Sequence, residues 1–221
     1  LLDDLLDDLL DLLFPPKCPF CQRILEVPAD PVCPACQKAL PWLIGRAGER
    51  KVDFTRGCCS PLAYRGTVRK SIHRYKFSGV RAYARPFGLL MAQCVQDRPE
   101  MAPELITWAP LSRKRRRERG YDQGELLARA MAKRLGLPAV PTLVKARHTQ
   151  PQSGLDSAEA RRANALGAYA ILNGAEVAGK RVLLADDVVT SGATLSECAR
   201  TLLEAGAECV WCVTLAQARP S

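Results

Sequence analysis

The stretch RVLLADDVVTSGATLSECARTLLEAGAECVWCVTLAQ, residues 181–217, restricts the fold more than any other part of the chain. An apolar run, a helical pattern and a second apolar run follow one another with short connections. Such runs read as strands buried on both faces, and strand, helix, strand at this spacing calls for a right-handed crossover within a parallel sheet. ELITWAPL (104–111) and AVPTLVKAR (139–147) read as further strands, and VRAYARPFGLLMAQCVQ (80–96) and DQGELLARAMAKRLG (122–136) as helices. The expected fold class is α/β, a parallel sheet flanked by helices. Sheets of this kind bind ligands at the carboxyl ends of their strands, where DDVVTSGAT (186–194) falls.

That segment has the composition of an anion site. Asp186 and Asp187 sit where a buried strand emerges, and TSGAT, residues 190–194, has small side chains that let amide N–H groups turn toward an anion. The helix that follows contributes its free N–H groups and positive dipole end. Thr190, Ser191 and Thr194 add hydroxyl donors, and Gly192 and Ala193 leave room for close approach. Two carboxylates suit two neighbouring hydroxyls, or water around a magnesium ion. The arrangement asks for a ribose 5-phosphate. The alternative is a plain strand-to-helix connection with Thr194 and Glu197 as a capping box.

CPFCQRILEVPADPVCPAC places Cys18 and Cys21 eleven residues ahead of Cys33 and Cys36. Two Cys-x-x-Cys knuckles at this separation can arrange four thiolates around one structural zinc, with no position left for water or substrate. Two disulfides are the competing account, and a reducing cytoplasm disfavours them. Cys58, Cys59, Cys94, Cys198, Cys209 and Cys212 read as core or surface thiols. Residues 1–14 read as an amphipathic helix that packs on the protein's own body or docks on a partner. Residues 15–44 then form the zinc module and 50–221 the α/β domain.

The chain carries a formal net charge of +9, although its first fourteen residues hold five aspartates and no Lys or Arg. A basic body attracts phosphates, whether on nucleic acid or on a small molecule. No window reaches the length of an apolar membrane span, and the start lacks a basic signal-peptide region, so a cytoplasmic location is expected. The run SRKRRRERG supplies Arg113, Lys114, Arg115, Arg116, Arg117 and Arg119. These can bind pyrophosphate, or track single-stranded nucleic acid with Tyr121 as a stacking surface, or lie in a solvated loop. His73 and His148 have no nucleophile at a persuasive spacing and read as surface or packing residues.

LLADDVVTSGAT resembles the phosphoribosyl pyrophosphate (PRPP) motif of type I phosphoribosyltransferases. With LLDLLFPPKCPFC, IHRYKFSGVRAYARPFG, APLSRKRRRERGYDQGELLA and ARRANALGAYA, the chain resembles the ComF family of competence proteins. The resemblance implies PRPP bound with Mg²⁺, Asp186 and Asp187 on the ribose hydroxyls, and residues 190–194 on the 5-phosphate. It also implies a role in DNA uptake, with single-stranded DNA and competence or replication-restart proteins as partners. An active phosphoribosyltransferase of nucleotide metabolism with an unknown acceptor is the alternative. Family members usually read Gly-Tyr-Asn-Gln or Gly-Phe-Asn-Gln where this chain has Gly120-Tyr121-Asp122-Gln123, and Asp122 also suits a helix N-cap. The acceptor-binding hood of the superfamily is expected from the zinc module and residues 45–80.

Overall fold

The computed structural model describes residues 15–146 and 158–218. The acidic amphipathic segment 1–14 and His148 lie outside them. In chain order the regular elements are α1 (Pro34–Ala39), β1 (Glu49–Arg50), β2 (Gly57–Cys59), β3 (Leu62–Ala63), α2 (Gly66–Phe77) and α3 (Ala84–Gln96). Then come β4 (Leu105–Trp108), α4 (Arg113–Arg119), α5 (Gln123–Leu135), β5 (Leu143–Lys145), α6 (Ala158–Ala165), β6 (Tyr169–Ile171), β7 (Arg181–Val189), α7 (Ala193–Glu204) and β8 (Cys209–Gln217).

The main sheet runs β1-β2-β8-β7-β4, with β3 also paired to β8. β7 and β8 are parallel from Arg181↔Cys209 to Val189↔Gln217, β4 is parallel to β7, and β2 is parallel to β8. Only the edge pair β1–β2 is antiparallel in this sheet. The continuous apolar runs have the cause expected of them, because both faces of the sheet are covered. Successive residues of β7 alternate in destination. Leu183 and Ala185 pack with Phe87, Leu127 and Met131 of α3 and α5, whereas Val182 and Leu184 pack with Leu195, Cys198 and Leu202 of α7. Cys58 and Cys59 likewise fall in opposite layers. Gly88 permits the tight α3–α5 contact, since a Cβ there would meet Ala130 Cβ at 2.5 Å.

One expectation changes. The strand expected over 139–147 contracts to β5, which pairs antiparallel with β6 in a separate two-stranded sheet. Only residues near Ala139 run beside β4. Pro138 and Pro141 cannot donate ladder hydrogen bonds, which accounts for the break. The segment 45–80 is built into the α/β body. It contributes β1, β2 and β3 to the main sheet and then α2.

The cysteine module packs on the α/β body without an intervening solvent layer. Phe20, Leu25, Val32, Cys36 and Leu40 share one buried cluster with Val68, Ile72, Tyr75 and Phe87, and the Phe20 and Phe87 ring centroids are 5.7 Å apart. No helix among the described residues is long and apolar enough to cross a membrane.

Candidate functional site

The sulfurs of Cys18, Cys21, Cys33 and Cys36 all lie within 4.8 Å of one another. Four thiols in that compass suit a tetrahedral ion with metal–sulfur bonds of about 2.3 Å. Cys18, Cys33 and Cys36 are buried and Cys21 is more open. This donor set fits a structural zinc, which would hold the two knuckles together and complete their small core.

A cleft of about 430 Å³ opens at the carboxyl ends of β4 and β7. Its lining includes Asp186, Asp187, Thr190, Ser191, Gly192, Ala193 and Thr194, so the acidic pair and the hydroxyl loop face one space. The acids lie within the last residues of β7 rather than beyond its end. The helix then begins at Ala193 with Gly192 as N-cap, at φ 82°. Glycine is favoured in that left-handed conformation, and Val52 Cγ2 would stand 3.4 Å from an added Cβ.

The expected Thr194–Glu197 capping box does not form, because the helix starts one residue early and has no side-chain cap. Glu197 instead accepts the Gly167 N–H at 2.6 Å and pairs with Arg200 at 2.7 Å. Plain capping therefore does not account for the loop hydroxyls.

The two acids have different surroundings. Burial, and then the charge of Asp187, push Asp186 up to about 7, with Lys76 opposing the rise. Asp187 is buried, meets Lys76 Nζ at 2.7 Å through Oδ1, and accepts Gln123 Nε2 at 3.5 Å through Oδ2. Arg115 and Arg119 line the same cleft, together with Arg69, Lys76 and Lys145. Burial lowers the Lys145 pKa, as does the nearby charge of Arg115. Five cations against two carboxylates make the cleft suited to a strongly anionic ligand.

The basic run is a helix, α4, capped by Ser112. Arg115 and Arg119, four residues apart, share one face and turn inward. Arg113, Lys114, Arg116 and Arg117 are exposed and do not line the cleft. Arg116 pairs with Glu125 at 3.3 Å and Lys114 approaches Glu118 at 3.9 Å.

Tyr121 cannot serve as a stacking surface. It is buried, donates to the Tyr75 carbonyl, and lies under the Arg81 guanidinium at 5.1 Å from its ring centroid. Asp122 is the N-cap of α5, accepting from Gly124 and Glu125, and it also accepts the Leu111 N–H at 2.9 Å. His73 is exposed against Phe77, with ring centroids 4.6 Å apart.

Several lining residues carry no mark in the sequence. Gln123, Lys76, Arg69, Tyr64, Lys145 and Tyr169 all face the cleft. Within the lining, Gln123 Oε1 and Arg119 Nη1 are buried polar atoms without a hydrogen-bond partner among the described residues. Arg69 and Lys76 lie seven residues apart on one face of α2, a spacing that any basic helix surface shares.

Residues 122–221 match the phosphoribosyl transferase domain family, and residues 9–49 match the double zinc ribbon domain family. The sequence is 35% identical to Competence protein F of Haemophilus influenzae over 62% of each chain. The chain is a homologue of Competence protein F. It is also 32% identical to the DNA utilization protein YhgH of Salmonella typhimurium over 64% of each chain. It is 28% identical to Competence protein ComFC of Bacillus subtilis over 66% of this chain and 58% of that one. The alignments thus span less than two thirds of each relative. This homologue has a phosphoribosyl transferase domain, and its four clustered cysteines form one zinc site within the zinc-ribbon match.

Proposed function

We propose that the cleft binds PRPP together with Mg²⁺, and that this binding serves DNA uptake. The observation that carries the reading is the joint lining of one cleft by Asp186, Asp187, the loop 190–194, Arg115 and Arg119. The 5-phosphate would take the loop amides and the hydroxyls of Thr190, Ser191 and Thr194. Asp186 and Asp187 would receive the ribose hydroxyls or, through water, the metal. Arg115 and Arg119 would meet the pyrophosphate with charge-assisted hydrogen bonds. Mg²⁺ would supply charge neutralisation of that leaving group. The names of the relatives, competence and DNA utilization proteins, support the DNA-uptake setting, and the exposed basic residues of α4 make single-stranded DNA the partner we propose. Thiols held as metal ligands suit a reducing compartment, and we place the protein in the cytoplasm.

The test is calorimetric titration of PRPP with Mg²⁺ into the zinc-loaded protein and into Asp186→Asn/Asp187→Asn. Saturable binding that the double variant loses is the expected result. Absence of binding by the unsubstituted protein overturns the reading. Pyrophosphate release that requires an added acceptor would identify an enzyme; binding without release would identify a ligand-sensing role.

A further inference from the structure

Helix α2 presents three faces to three different surroundings. Val68, Ile72 and Tyr75 are buried in the core. Arg69 and Lys76, seven residues apart, share a second face and line the ligand cleft. Ser71 and Arg74 leave from the side nearly opposite, toward the zinc ribbon. Ser71 Oγ donates to the Pro19 carbonyl. Arg74 Nη2 donates to the Pro19 carbonyl at 2.8 Å and to the Phe20 carbonyl at 3.0 Å. Pro19 and Phe20 are the two residues between Cys18 and Cys21, inside the knuckle that wraps the metal.

We infer that Lys76 is a ligand-binding residue of the cleft, that the zinc knuckle holds it in place through α2, and that zinc occupancy and PRPP affinity are therefore coupled. The inference rests on the PRPP reading and adds its regulation. Metal ligation at Cys18 and Cys21 fixes the two intervening carbonyls. Those carbonyls fix Ser71 and Arg74, and the helix carries the constraint a short distance to Lys76, whose Nζ sits 2.7 Å from Asp187 Oδ1. Arg74 is further pinned by the Tyr83 ring, 6.0 Å from its guanidinium carbon. At its far end α2 is tied to the cleft wall, where Tyr75 Oη donates to the Gln123 carbonyl at 2.9 Å. Every link is a hydrogen bond, an ion pair or a continuous helix, so displacement at one end moves a charged group at the other. Coupling of this kind is reciprocal: what zinc does for ligand affinity, the ligand must do for zinc affinity.

The test uses the zinc-loaded full chain, with zinc content measured for each variant. PRPP with Mg²⁺ is titrated into the unsubstituted protein, Lys76→Met, Arg74→Met, the double variant and, as a milder change on the same contact, Ser71→Ala. Lys76→Met should lose affinity about tenfold or more, and Arg74→Met about fivefold with zinc retained, within the usual range of coupling between sites. The double variant should bind no worse than Lys76→Met alone, since both changes act on one group. In parallel, saturating PRPP should raise the chelator concentration needed to strip zinc. If Arg74→Met and Ser71→Ala retain zinc and bind as the unsubstituted protein does, the inference is overturned. Purely additive losses, or a chelator midpoint indifferent to PRPP, overturn it as well. If the unsubstituted protein does not bind PRPP at all, the reading on which the inference rests fails with it.

Discussion

Asp186 Oδ1 accepts the backbone N–H of Asp187 at 2.8 Å, so the two acids of the cleft are joined through the chain as well as through their charges. Burial first and the Asp187 charge second raise Asp186 to about 7, and Lys76 limits the rise. In the unfolded chain the group ionises near pH ~4. Between these values the native state holds a proton that the unfolded state has released, so the stability this group contributes falls as pH rises. Asp186→Asn removes that dependence. It should be the more stable protein at pH ~8, by on the order of 2 kcal/mol after allowance for a side chain partly open to the cleft. Denaturant unfolding of the two proteins should show the difference shrinking as pH falls to about 5.5.

How far the sequence reveals this arrangement depends on the kind of signal. The strand β7, the helix α7 and the strand β8 announce themselves because burial on both sheet faces leaves an unbroken apolar run on either side of an amphipathic stretch. The zinc ligands are legible because metal chemistry fixes residue type and spacing. Lys76 and Gln123 are not, because neither lies in a pattern that distinguishes it from an ordinary helical surface residue. Their meeting at Asp187 depends on tertiary packing that joins residues far apart in sequence. Tyr121 misleads for a related reason: an aromatic residue beside an arginine run looks exposed until Tyr75 and Arg81 are placed around it.

Gln123 should be a residue whose loss is tolerated by the fold and not by the ligand. Its Nε2 reaches Asp187 only at 3.5 Å, and its buried Oε1 has no partner among the described residues. An unpaired buried acceptor costs about 1–3 kcal/mol, and a long hydrogen bond returns less. Gln123→Met should leave the free protein as stable or up to about 1 kcal/mol more stable, with PRPP affinity reduced. Thermal unfolding with and without ligand checks both halves. A variant that is destabilised yet binds normally would show that Gln123 serves the fold alone.

Zinc should be present at one ion per chain and should carry much of the stability of the N-terminal region. Cys36 is buried beside Leu40 and shares the core that includes Phe87. Cys36→Ser should release the metal and lower the unfolding free energy by about 4 kcal/mol or more, because loss of a metal belongs to the most damaging class of substitution. Metal analysis and denaturant unfolding are the measurements. Zinc-free protein with unchanged stability and no free thiols at the four positions would instead establish disulfides.

The basic helix divides by face, and so should its functions. Arg115 and Arg119 face the cleft, whereas Arg113, Lys114, Arg116 and Arg117 face outward. Changing the outward four to Ser should leave PRPP binding unaltered. If single-stranded nucleic acid follows this helix, the same changes should weaken its binding and flatten the salt dependence. Each phosphate no longer neutralised lowers the slope of log affinity against log salt by about 0.7. Arg119→Met should have the opposite profile. Its guanidinium lies 4.9 Å from the Phe77 ring centroid and holds a buried Nη1 without a partner among the described residues, a donor placed for an anion inside the cleft. PRPP affinity should fall about tenfold or more, the loss of a charge-assisted hydrogen bond. Fluorescence anisotropy with a labelled oligonucleotide across a salt series, run beside calorimetry with PRPP, separates the faces. Equal loss of both ligands from either set would mean that one continuous surface binds both.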